Sequence, residues 1–373
     1  MNLSAADKQL LTRQLTDLSH AVEEMLLIGL TAATETTRQT LDVTFREASR
    51  MRLLRLASTL RAANEEIGRM IGGQAEFSGR RLSFFLNRSW LLSQGLLHAL
   101  KAGDEAQFSR LLWMQPSRPV EKIDVVSLGV SKKVAQGSFC AFEFRLRRIP
   151  SGDGDTMTPL RLSWSCIFPL KADNEMPAEG FLKLPQKQKF KTDIFLEPRV
   201  LTMTNVMVAE DQSGGGRVTL TDASTVSAGE TFTDWSRFLS WSATPLLHRV
   251  QKHETSPLDL EVELQDEIVL IDWSVDAKLD KDREGQSVYP VQSGAMQFEA
   301  IASAGSDGTT LRQQLEAFNA ARQRPPLFGL LHFERARFIL QPLSTIAASG
   351  PQFLTISTEA VDSKTLLKSL KFN

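Results

Sequence analysis

The feature that most constrains this chain is a change of hydrophobic rhythm at Pro116 and Pro119. Before these prolines, apolar residues return every three or four positions, the period of a helix lying on a core. After them, apolar and polar residues alternate, the period of a strand with one buried face. The pattern predicts an α+β protein. An N-terminal helical bundle or long helical hairpin spans 1–115, and a strand-rich region spans 120–373. With 373 residues against a usual domain of about 150, the second region has room for a split near 255.

In the helical region, Ser4 and Asp7 read as a capped helix start, followed by a stripe of Leu11, Leu15, Leu18, Val22 and Met25. A second long helix is expected from Glu35 to Met70, with Leu41, Phe45, Leu53, Leu56, Leu60 and Ile67 on its stripe. Gly72-Gly73 ends it, since paired glycines are costly in a helix. A third helix, Gly79 to Lys101, is apolar round most of its girth and should be surrounded by others. A fourth starts with Asp104 as cap and runs to about Met114.

The expected second helix carries Arg46, Arg50, Arg61 and Arg69, the candidate interaction face of the chain. Such a ridge can track phosphates. The competing reading is a solvated face balanced by Glu35, Asp42, Glu47, Glu65 and Glu66 at ion-pair spacing. Two facts favour the balanced reading. The formal net charge is −1, and no aromatic residues are interleaved for base stacking.

Beyond Pro119, strands are expected at Ile123–Val134, Ser138–Arg148, Leu160–Leu170, Lys191–Phe195, Val200–Ala209 and Arg217–Thr221. More follow at Leu258–Leu264, Ile268–Asp276, Met296–Ile301, Leu327–Glu334 and Arg337–Leu343. Helices are expected from Phe232 toward Val250 and over Leu311–Arg322. Short strands with long connections predict mixed or antiparallel sheets, in one or two small barrels or sandwiches.

Chemical motifs are absent. There is no phosphate-binding G-x-x-x-x-G-K-[ST] loop, no strand-linked G-x-G-x-x-G and no G-x-S-x-G elbow. Gly214-Gly215-Gly216-Arg217 reads as a hairpin tip. The histidines His20, His98, His248, His253 and His332 form no H-E-x-x-H pair. Cys140 and Cys166 read as two small buried hydrophobes, which could be neighbours on paired strands. Glu267, Asp272 and Asp276 form a carboxylate-rich stretch that reads as a water-facing strand surface. No cofactor, metal site or catalytic residue is expected. The apolar run Met25–Ala33 falls short of the ~20 residues of a membrane span, and the N-terminus lacks a signal peptide's basic-then-apolar order. The expected location is cytoplasmic.

One stretch carries a likeness to known proteins. Pro325-Pro-Leu-Phe-Gly-Leu-Leu-His-Phe-Glu-Arg-Ala-Arg-Phe-Ile-Leu-Gln-Pro-Leu-Ser344 resembles the C-terminal hairpin of bacterial SWIM zinc-finger proteins. Those proteins accompany MoxR-type AAA+ ATPases and von Willebrand A-domain proteins. The shared marks are the Leu-Phe-Gly entry, a turn around Phe333–Ala336 and the Pro342-Leu343-Ser344 exit. The Cys-x-Cys and Cys-x-His of the zinc finger itself are missing. The resemblance therefore implies a non-enzymatic adaptor, with an AAA+ ATPase or von Willebrand A-domain protein as partner and no zinc. The alternative is a nucleic-acid-associated module using the arginine-rich helix face.

Overall fold

The computed structural model describes residues 4–29, 35–73, 77–112, 117–135, 139–150, 159–170, 176–210, 214–252, 265–277, 280–281, 286–302, 306–334 and 337–356. The chain divides into two compact units, the helices up to Pro116 and the strands from Ser117 onward. It is an α+β protein, helical first and strand-rich after.

The helical unit comprises α1 (Ala5–Ile28), α2 (Glu35–Arg50), α3 (Leu54–Ile71), α4 (Gly79–Ala102) and α5 (Glu105–Leu112). Ser4 caps α1 in a full capping box with Asp7, and Asp104 accepts a hydrogen bond from the Gln107 amide at the start of α5. The apolar girth of α4 is explained by its neighbours, because α1, α3 and α5 all pack on it. Trp90 on α4 donates its indole N–H to Glu23 on α1 at 2.6 Å.

The single helix expected over Glu35–Met70 is two. The amide of Leu53 donates to Ala48 O at 2.8 Å and that of Arg52 to Ser49 O at 3.0 Å, the bond pair of a Schellman stop. Arg52 occupies the left-handed position, at φ 59°, where glycine is usual. Leu53, the next residue, is buried and anchors the turn. The chain then doubles back, so that Gly68 near the end of α3 lies beside Arg38 near the start of α2.

The strand-rich unit contains two rings of strands. The first is a closed barrel of β1 (Ser117–Ala135), β2 (Phe139–Ile149), β3 (Arg161–Pro169), β4 (Arg199–Glu210) and β5 (Gly215–Thr231), in the order β1-β2-β3-β5-β4. All its pairings are antiparallel except β3 with β5. The first half of β1 pairs with β4 and the second half with β2. This is the strand order of the oligonucleotide/oligosaccharide-binding, or OB, barrel.

The second sheet is built of β6 (Asp266–Leu270), β7 (Ser274–Val275), β8 (Asp280–Lys281), β9 (Ser287–Ser293), β10 (Met296–Ala302), β11 (Leu327–Glu334), β12 (Arg337–Ala347) and β13 (Gly350–Phe353). Its path runs β6-β11-β12-β10-β9-β7. The two ends of the path, β6 and β7, are consecutive in the chain and separated by the bend at 271–273, so the sheet curls back toward its starting segment as a barrel does. With β6–β7 as strand one, β9, β10, β11 and β12 follow as strands two to five. Strand three again runs parallel to strand five, and strand one again meets strand four first and strand two second. The same barrel topology therefore occurs twice in succession.

Each barrel is plugged between its third and fourth strands. In the second, α7 (Ser306–Ala320) inserts Leu311 and Leu315 into the core. In the first, the 3₁₀ turns Ala178–Lys183 and Thr192–Leu196 insert Phe181, Leu182 and Phe195. Phe195 stacks on Trp164 at 4.6 Å between centroids. The strand expected at Lys191–Phe195 is this second 3₁₀ turn. Its apolar residues fill the barrel end without a ladder partner, save a single bridge of Lys191 to Pro185.

Between the barrels, the helix expected from Phe232 is only a short turn at Trp235–Phe238, and α6 (Ala243–Lys252) begins later. Phe232 and Trp235 pack edge-on at 4.8 Å, so aromatic stacking holds this connection in place of helix. The strand expected at Ile268–Asp276 is broken by the bend between β6 and β7. The stretch Leu258–Leu264 lies outside the described residues.

Candidate nucleic-acid interface

The outer surface of β1–β3 is set by strict alternation. Cys140, Phe142, Phe144 and Leu146 point into the barrel and are wholly buried, so Phe139, Ala141, Glu143, Arg145 and Arg147 point out. Across the sheet, Lys133 pairs with Ala141, Ala141 with Ile167, and Phe139 with Pro169. Ile167 is 66% exposed where β3 has run past its pairing with β5, so its side chain stands open on this face. This upper half is an open apolar platform beside a lysine.

Two steps along β2 the chemistry changes. Arg145 and Arg147, with Arg161 opposite Arg147 on β3, form an arginine patch on the same outer face. The second barrel covers it. Glu267 on β6 lies 2.5 Å from Arg147 and 3.9 Å from Arg145. Asp266 bridges Arg161 at 2.7 Å and Arg249 of α6 at 2.5 Å. Arg145 also donates to Gln265 at 3.0 Å, and Gln265 sits 3.3 Å from His332. Arg147 lies over the Phe328 ring.

Below this charged rim the barrels meet through an apolar seam of Val126, Leu128, Trp235, Val269, Phe328 and Leu343, among others. Gly129 follows a bulge in β1 and leaves room for Phe328, to which a Cβ there would come within 2.6 Å. Ser344 donates its hydroxyl to the Leu128 carbonyl. The expected hairpin over Leu327–Leu343 is β11–β12, strands four and five of the second barrel. Its Leu-Phe-Gly entry and Pro-Leu-Ser exit supply Phe328, Leu343 and Ser344 to the seam. Gly329 allows the bulge between its strands, where a Cβ would stand 2.7 Å from the Gln341 carbonyl.

The remaining sequence candidates fall apart in space or into the core. Cys140 and Cys166 are diagonal neighbours on β2 and β3, both buried and neither in a disulfide. Burial pushes the Cys166 thiol up to about 12, against a partly opposing hydrogen bond with Thr192. Glu267 is committed to the arginine patch, whereas Asp272 and Asp276 are exposed at the bend and beyond β7. Among the described residues, no three His, Cys, Asp or Glu side chains gather as a metal site. His248 is exposed on α6 and His253 lies outside the described residues. Gly215 and Gly216 begin β5 where it pairs with β3 and closes the first barrel.

In the helical unit, the four arginines of the candidate face each have an acid within one turn. Arg46 pairs with Asp42 at 2.6 Å, Arg50 with Glu47 at 2.9 Å, Arg61 with Glu65 at 3.6 Å, and Arg69 with Glu66. They are divided between α2 and α3, which run in opposite directions. Glu66 is buried; burial works to raise its carboxyl, but hydrogen bonds from the Ser78 amide, Arg81 and Arg69 outweigh it and hold the pKa low. A cleft of about 190 Å³ opens between α1 and the α2–α3 corner, lined by Leu11, Leu15, Leu18, Val43, Met51 and Leu56. Among the described residues, no helix is long and apolar enough to cross a membrane.

No family model matches this sequence, and no curated protein matches it. Among solved structures, the Ifi202 HINa domain in complex with double-stranded DNA aligns over 61% of this chain and 94% of its own, at 10% identity and a TM-score of 0.29. The single-stranded DNA binding protein from Thermus aquaticus aligns over 66% and 98%, at 9% identity and a TM-score of 0.14. Neither likeness is strong enough to bear on what this chain does.

Proposed function

We propose that the strand-rich unit is a nucleic-acid-associated module that binds single strands with little sequence preference across the outer β1–β3 face of its first barrel. One observation carries this reading: the OB strand order, with its plug between strands three and four, is built twice, and the first copy leaves the upper half of its strand-two and strand-three face open. In such barrels that face takes oligonucleotides or oligosaccharides. That open half offers an apolar platform at Phe139, Ala141 and Ile167 and a cation at Lys133. Apolar contact serves base faces of any sequence, and cations serve the backbone.

The test is fluorescence anisotropy of a labelled oligothymidylate of roughly 20 nucleotides, longer than the ~4–16 nucleotide footprint of one OB barrel. Salt-sensitive binding, weakened by Lys133→Glu and Ile167→Glu, is the expected result. Both side chains are exposed, so neither change should disturb the fold. Absence of binding at low salt, for DNA and RNA alike, rejects the proposal.

A second reading concerns the helical unit and is favoured by its apolar cleft. Such a groove suits the apolar ridge of a partner's helix. It leaves the adaptor role open as a proposal, the partner class, a MoxR-type AAA+ ATPase or von Willebrand A-domain protein, resting on the hairpin resemblance alone. Crosslinking followed by purification tests it. Stoichiometric recovery of such a protein, lost on Val43→Glu, supports it.

A further inference from the structure

We infer that Asp266 and Glu267 of the second barrel act as internal phosphate mimics, holding the arginine half of the first barrel's binding face closed until a nucleic-acid strand displaces them. This rests on the proposed function and adds a regulatory contact to the same face. The open platform and the covered arginines belong to one continuous surface. Going down β2 from Ala141, outward positions are Glu143, Arg145 and Arg147, so the first arginine lies about 14 Å from the platform at ~3.4 Å per residue. A strand seated on Ala141 and Ile167 would reach the arginines within a few nucleotides.

The carboxylates meet those arginines as phosphates would. Asp266 turns one oxygen to Arg161 and the other to Arg249, two guanidiniums from different elements. Glu267 likewise spans Arg145 and Arg147. The side chains of Arg145 and Arg147 are only 12% exposed, so a phosphate cannot reach them unless a carboxylate yields. A further carboxylate, Glu143, stands 3.0 Å from Arg145. The apolar seam at Phe328, Leu343 and Trp235 keeps the barrels joined while the rim changes partners.

The experiment compares the full chain with its Asp266→Asn/Glu267→Gln double variant in the same anisotropy titration over a range of salt. The double variant should bind about tenfold more tightly. Its salt slope should steepen by about 1.4, two further phosphate contacts at ~0.7 each for a single strand. Adding Arg145→Gln and Arg161→Gln should abolish the gain. An Asp222→Asn/Glu197→Gln variant, with the same charge change at exposed sites outside the arginine patch, should not reproduce it. If the parent binds and the seam variant binds no better, or the distant control gains as much, the inference fails and the proposed function stands. If neither protein binds, both fall. Should thermal melts show the double variant unfolded, Asp266→Asn alone carries the same expectation, because Arg161 and Arg249 are 34% and 38% exposed and keep water as a partner.

Discussion

Substituting Gly129 tests the docking of the two barrels most directly. A Cβ at this position would lie 2.6 Å from Phe328 Cε1, 2.8 Å from its Cδ1 and 3.0 Å from Leu343 Cβ. Carbon atoms rest at about 3.5–4.0 Å, so the ring must retreat by about 1 Å. It has nowhere to go, since Phe328 and Leu343 are wholly buried. Backbone strain plays no part, because Gly129 is not among the glycines with positive φ. The cost of Gly129→Ala is therefore overpacking alone, about 2–3 kcal/mol, the upper part of the usual range. For a unit of this size that lowers Tm by roughly 5–10 °C. Thermal and urea melts by circular dichroism measure it, and Phe328→Leu in the Gly129→Ala background should recover more than 1 kcal/mol of coupling. A neutral Gly129→Ala, or a strictly additive double variant, would show that the barrels do not meet here.

Four further outcomes follow from other sites. Arg52→Gly should stabilise the helical unit by about 0.5–1 kcal/mol by relieving a left-handed arginine, and a loss of stability would mean that the turn is misassigned. Glu66→Gln should cost about 2 kcal/mol, because a buried carboxylate bonded to the Ser78 amide and Arg81 is lost. The depressed carboxyl contributes fully above its ordinary 4.5 and less as pH falls through its folded value, so the acid-side decline of the parent should flatten in this variant. Gly350→Ala should cost about 2–3 kcal/mol, since φ there is 118° and the new methyl would stand 2.8 Å from Pro198; an unchanged melt would contradict that packing. Cys140 and Cys166 should resist a disulfide thiol reagent in the native protein and react in denaturant, whereas fast native labelling would place them outside the core.

The helical unit was legible where chemistry is local. The Ser4–Asp7 box, the glycine stop after α3 and the all-round apolar α4 are written in neighbouring residues. The break between α2 and α3 was not, because Arg52 takes a glycine's role and no proline or glycine marks the turn. Among the strands, β2 and β3 alternate cleanly and were read almost to the residue. β5 runs beyond the expected Arg217–Thr221, since most residues from Asp222 to Thr231 lie exposed and the two buried ones, Ser224 and Val226, include a polar residue that hides the alternation. β9 was missed. It contains Pro290, which cannot donate to a ladder, although its carbonyl accepts from Asp276. The double barrel topology was out of reach, because the parallel pairings β3–β5 and β10–β12 join residues far apart in sequence.

The same distinction governs the charges. Reading along the chain finds arginines that cluster in sequence, and those of α2 and α3 stand out because they are dense. Density in a helix also brings acids three or four positions away, and Arg46, Arg50, Arg61 and Arg69 all have one. Arg145, Arg147 and Arg161 draw less notice in the sequence. On β2 the only nearby acid is Glu143, and the carboxylates that complete the patch come from Asp266 and Glu267, more than 100 positions along the chain from Arg161. A partner so distant is held by tertiary structure, and what tertiary structure holds, a ligand can replace. A local ion pair on an exposed helix contributes little and re-forms at once after disturbance. The patch shared between two barrels is therefore the better place to test for exchange with phosphate, and Asp266 and Glu267 are the carboxylates such an exchange would displace.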